Sequence, residues 1–93
     1  MGINEIKSKI IPILKPYGVK RAGIFGSAAR GEMKAGSDID IAVDISKDIS
    51  LFDFVGLKLQ LEETLNRKVD LVEYQAIKPL MRERILREQV SIL

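Results

Sequence analysis

Asp38 and Asp40 stand two residues apart at the head of an otherwise apolar run, Ile39, Ile41, Ala42 and Val43. Side chains in a strand alternate, so both carboxylates share one face, roughly 6.6 Å apart along the backbone. Asp70, in "KVDLVEY", lies near the start of a later strand expected to pair with theirs, so three carboxylates converge on one sheet edge. At ~5 Å and an effective dielectric of ~20, each like-charge pair costs about 3 kcal/mol. That is a large share of the ~5–15 kcal/mol that stabilises a small domain. Either the groups stay partly protonated or a cation joins them. An all-oxygen donor set suits Mg²⁺, which completes its shell with water and phosphate oxygens.

The complementary half lies upstream at Gly26-Ser27 in "GSAARGEMKAGSDIDIAV", with ten residues between Ser27 and Asp38. A strand that ends in Phe25, followed by glycine and then by serine opening a short helix, points free backbone N–H groups outward. Glycine allows close backbone approach to a ligand, and the serine hydroxyl can donate to an anion. An anion-binding loop beside metal-binding carboxylates is what transfer from a nucleoside triphosphate requires. Asp70 is then the group to deprotonate or orient an incoming hydroxyl.

Composition narrows the chemistry further. The 93 residues hold no cysteine and no histidine, which removes disulfide scaffolds, zinc sites, cysteine nucleophiles and histidine bases. Catalysis therefore rests on carboxylates, hydroxyls, Lys, Arg or a hard metal. The lack of cysteine fits a reducing cytoplasm. No apolar run reaches the ~18 residues that a membrane span needs, and "MGINEIKSK" is too polar for a signal peptide. A net charge of +2 and five aromatic residues argue against direct nucleic-acid binding.

The elements that must position these residues follow from the periodicity. Ile3, Ile6, Ile10, Ile13 and Tyr17 mark an amphipathic helix, stopped by Pro16 and Gly18. "VKRAGIF", Val19 to Phe25, reads as a buried strand, and a single helical turn is expected at Ala28 to Arg30. "DIDIAVDI" is the second strand. Ser50 with Asp53 starts a long helix carrying Phe54, Leu57, Leu61 and Leu65, and Asn66 closes it. The wide apolar face of that helix, including Phe52 and Leu59, is expected to be mostly core. Val69 and Leu71 face one way in the third strand, Asp70 and Val72 the other. Pro79 opens a last helix through Arg87, and "VSIL" forms a short edge strand. Arg82, Arg84 and Arg87, alternating with Glu83 and Glu88, read as a solvated, salt-bridged face. Glu32 and Asp44 read as solvated. The fold class is α/β (α+β), one domain over residues 1–93 with a small mixed sheet covered by helices.

Gly26-Ser27, ten residues, Asp38-Ile39-Asp40 and a later strand aspartate together resemble the nucleotidyltransferase superfamily of DNA polymerase beta. The match is to its smallest members, the minimal nucleotidyltransferases. The resemblance implies that fold and Mg²⁺-dependent transfer of AMP from ATP to a hydroxyl. It implies two metal ions held by Asp38, Asp40 and Asp70, with these three catalytic and with Gly26, Ser27 and Arg30 on the nucleotide. It also implies a HEPN-domain toxin as partner, adenylylated on a tyrosine, in a type VII-like toxin–antitoxin pair. Larger relatives carry an extra helical domain, so base and acceptor sites here are expected to be shallow or completed by another chain in a hetero-oligomer. The alternatives are an antitoxin that acts by occlusion alone, and transfer to a small molecule.

Overall fold

The computed structural model describes residues 2–32, 34, 36–46 and 48–93. Helix α1, Ile3–Leu14, buries Ile6, Ile10, Ile13 and Leu14 at the predicted spacing. A 3-10 turn over Lys15–Tyr17 follows, and Gly18 ends it at φ 81°, a conformation that glycine adopts without strain. The remaining elements are β1 (Val19–Phe25), α2 (Gly26–Ala29), β2 (Ile39–Ile45), α3 (Leu51–Leu65), β3 (Val69–Glu73), α4 (Pro79–Glu88) and β4 (Val90–Ser91). Their sheet order is β3-β2-β1-β4. β1 runs antiparallel to both β2 and β4, whereas α3 carries the chain back so that β3 lies parallel to β2. The expected mixed sheet is what forms, and β4 is its short edge.

Two boundaries that bear on the site differ from the sequence reading. The β2 ladder opens where the Ile39 N–H donates to the Lys68 carbonyl at 2.9 Å, so Asp38 lies just outside the strand. The short helix starts at Gly26 because the Gly26 carbonyl accepts the Arg30 N–H at 3.3 Å, which closes the turn two residues early.

Strand alternation gives the sheet two unlike faces. Ile24, Ile39, Ile41, Val43, Val69 and Leu71 point into the main core against Ile6, Ile10 and Leu14 of α1 and Leu57, Leu61 and Leu65 of α3. The opposite face has only a small cluster, Ala42, Tyr74 and Ile77, joined by Phe25, Val72 and Ile85. Asp40 and Asp70 belong to this thinly covered face.

Helix α3 begins at Ser50, whose Oγ accepts the Asp53 N–H at 3.0 Å, and ends at Asn66, φ 52°. Its core face is Leu57, Leu61 and Leu65, but Phe52 and Leu59 are not core: they are 87% and 56% exposed. They sit five residues before and two after Leu57, which at 3.6 residues per turn places them on the opposite side. With Leu51, Val55 and Gly56 they line an open apolar groove of about 430 Å³. Leu61→Ala is therefore expected to destabilise the fold by about 2–5 kcal/mol, while Phe52→Ser stays within about 0.5 kcal/mol. Urea unfolding of the two variants checks this, and equal losses would place Phe52 back in the core.

Candidate active site

The strand register builds the site. Asp40 is paired with Asp70 across the parallel β2–β3 ladder and with Phe25 across the antiparallel β1–β2 ladder. Neighbouring strands lie about 4.8 Å apart, so Asp70 starts nearer to Asp40 than Asp38 does along the chain. Asp38 and Asp70 are exposed and Asp40 is half-buried. Burial, and then the charges of Asp70 and Asp38, push the Asp40 carboxyl above its ordinary 3.8, with Arg30 pulling the other way. Solvent screens the two exposed acids, so the repulsion falls mainly on Asp40 rather than equally on every pair.

Among the described residues, no group of three or more acidic side chains closes around a metal position as it stands. The chemistry of the donors nevertheless fits a hard divalent cation. They are all oxygen, and the central carboxyl is one whose charged form a cation would favour. An ion held through one or two carboxylates, with water and phosphate filling the other positions, needs no closed protein cage.

Gly26 brings the loop onto this carboxyl. Its φ is +70°, and a Cβ built there would overlap a carboxylate oxygen of Asp40, with the Asp40 Cγ 3.3 Å away. The backbone of the loop thus lies directly against the acid. Ser27 is half-buried in α2, and its carbonyl accepts the Glu32 N–H at 2.9 Å, which folds the loop back. Arg30 follows at the helix end, where its Nε donates to Glu32 Oε2 at 3.0 Å. Glu32 is therefore a surface partner of Arg30, and Asp44 pairs with Lys20 at 3.8 Å.

Two cavities flank the carboxylates. One, about 390 Å³, is lined by Ser37, Asp38, Asn66, Arg67 and Lys68. Arg67 spends a donor on the Lys34 carbonyl at 2.8 Å, and among the described residues no ion pair joins Asp70 to Arg67 or Lys68. The other, about 230 Å³, lies between α2 and α4, with Phe25, Gly26 and Arg30 on one side and Met81, Arg84, Ile85 and Glu88 on the other.

The α4 side of the second cavity is the part of the site missed in the sequence. Its three arginines divide their tasks. Arg82 donates to the carbonyls of Tyr74 and Ile77 at 2.8 and 2.9 Å and clamps the turn after β3. Arg84 pairs with Glu88 at 3.4 Å and lines the cavity. Arg87 is exposed, as predicted for a solvated face. The spacing of Met81, Arg84, Ile85 and Glu88, one stripe of a helix, was the signal available. Tyr74, on the same sheet face as Asp40, is held by Gln89 and lies under the Arg21 guanidinium, 5.4 Å from the ring centre. Burial pushes its hydroxyl up, so it stays protonated.

A mixed sheet that sets in-register aspartates beside a glycine loop defines a nucleotidyltransferase of the polymerase beta kind. Residues 8–93 match the family described as Polymerase beta, Nucleotidyltransferase, and the chain belongs to that family. It is 57% identical, over the full length of both chains, to MJ0435 of Methanocaldococcus jannaschii, provisionally named a protein adenylyltransferase. It is 42% identical to the protein adenylyltransferase MntA of Thermococcus cleftensis, over 82% of this chain and 77% of that one. A crystal structure of a toxin–antitoxin with AMP-PNP superposes with a TM-score of 0.83 at 25% identity, covering 94% of this chain and 72% of that one. No helix of the described residues is long and apolar enough to cross a membrane.

Proposed function

We propose that the protein transfers AMP from ATP to a hydroxyl, a tyrosine, of a HEPN-type toxin and so acts as its antitoxin. The observation that carries this is the half-buried Asp40, flanked in register by Asp70 and two residues from Asp38, with the Gly26 backbone seated on its carboxylate. The named activities of the two relatives and the AMP-PNP in the toxin–antitoxin structure support the same reading.

In this reading the acceptor oxygen attacks the α-phosphorus and forms a new P–O bond. The bond to the β-phosphate breaks, and pyrophosphate leaves with the electron pair. The acceptor proton passes to Asp70, which stands exposed at the sheet edge where a partner's side chain can arrive. Asp38 and Asp40 would hold Mg²⁺, which when bound supplies charge neutralisation at the phosphate oxygens. The Gly26 backbone and Ser27 hydroxyl orient the polyphosphate, and Arg30 offsets part of its charge.

The test is to incubate the protein with ATP, Mg²⁺ and its cognate HEPN-type partner and to weigh the partner. Its mass is expected to rise by whole adenylyl units at a tyrosine, with loss of toxin activity. Silencing without a mass change would identify occlusion instead. AMP transfer to an added small-molecule hydroxyl in the partner's absence would point to a small-molecule acceptor.

A further inference from the structure

We infer that Arg84 of α4 forms a second cationic clamp on the triphosphate, opposite Arg30, and that the cavity between them takes the β- and γ-phosphates. The inference rests on the reading above that ATP is the donor, and it adds a positioning residue from an element outside the glycine-serine loop.

Placement is the first reason. Met81, Arg84, Ile85 and Glu88 are one stripe of α4, and that stripe faces Gly26 and Arg30 across the 230 Å³ cavity. Two guanidiniums therefore border one cavity that also touches the loop lying against Asp40. Charge is the second reason. Mg²⁺ on Asp38 and Asp40 would offset only part of a triphosphate's charge, so protein cations beside the loop are needed to hold its outer phosphates. Helix α2, with four residues, has too weak a dipole to do this alone. Side chains must supply the charge.

The present partners of both arginines are weak enough to be exchanged. Arg30 and Glu32 side chains are 54% and 62% exposed, and Arg84 and Glu88 are 73% and 55% exposed. Exposed pairs of this kind contribute little, whereas phosphate oxygens offer a guanidinium two parallel, charge-assisted hydrogen bonds. Phe25 and Ile85 form the apolar inner wall of the cavity.

Calorimetric binding to the full chain, without partner, tests this with AMP-PNP, pyrophosphate and AMP as probes in the presence of Mg²⁺. Arg84→Ala is expected to weaken AMP-PNP and pyrophosphate about tenfold and to leave AMP, which lacks the two outer phosphates, unchanged. Arg84→Lys should recover part of the loss. Glu88→Gln should tighten AMP-PNP about two- to threefold by releasing Arg84, a gain that a purely structural role does not produce. The inference is overturned if Arg84→Ala binds AMP-PNP as the unsubstituted chain does, or loses AMP to the same degree. It is also overturned if Glu88→Gln weakens AMP-PNP. An unsubstituted chain that fails to bind AMP-PNP at all overturns the donor assignment as well.

Discussion

Replacing Asp38 and Asp40 together with Asn is expected to reduce AMP transfer at least about a thousandfold while the protein stays folded. Removing both carboxylates removes the charge that holds the cation, and cation stabilisation of phosphoryl charge is worth several kcal/mol, each ~1.4 kcal/mol being tenfold in rate. Asn keeps the shape of Asp, and neither residue has an ion pair among the described residues, so the fold loses no contact. Stability even moves the other way at neutral pH. The Asp40 carboxyl titrates above 3.8 in the folded chain, so the folded state binds more protons than the unfolded state just above that value. Stability therefore falls as pH rises through the folded value, and it stays lowered at neutral pH. Asp40→Asn removes that loss, so its melting temperature should exceed that of the unsubstituted protein at neutral pH, and the gap should close below pH 3.8. Transfer rates read from partner mass, together with melting curves across pH, check both halves. Persistent transfer in the double variant would remove these carboxylates from the reaction.

The sequence showed the acids and the loop, but not how they meet. Alternation, a local property of strands, predicts one face for Asp38 and Asp40, but β2 opens only at Ile39, so the rule reaches Asp40 and not Asp38. That Asp70 lies opposite Asp40 is set by the β2–β3 register, a pairing between segments thirty residues apart that no local pattern specifies. Helix α3 misled for a different reason. Its apolar residues run nearly all the way round, so periodicity could not separate Leu57 and Leu61 from Phe52 and Leu59, and burial depended on where α1 and the sheet lie. The arginines of α4 looked alike in sequence. They differ because the helix axis points Arg82 at open carbonyls and Arg84 at the glycine loop. β1, by contrast, was legible to the residue, since Gly18 and Gly26 bound it at both ends.

Gly26→Ala should lower transfer about a hundredfold and cost stability, and Gly31→Ala is the control that shows why. Both glycines have φ +70°, so an alanine at either position pays about 1–2 kcal/mol for a left-handed backbone. A Cβ at Gly31 meets nothing within 4 Å, whereas a Cβ at Gly26 overlaps the Asp40 carboxylate. The backbone penalty is common to both variants, and their difference isolates the displacement of Asp40. A displacement near 1 Å at a reacting centre is enough for a loss of about a hundredfold. Gly31→Ala should thus keep most of its activity despite a similar backbone strain, while Gly26→Ala should lose it at a comparable cost in stability, because the Asp40 carboxylate end can swing aside. Urea unfolding and partner mass measured on the two variants side by side give the comparison. Equal losses of transfer in both would mean that the loop acts through its own conformation, and that its contact with Asp40 plays no part in setting the acid.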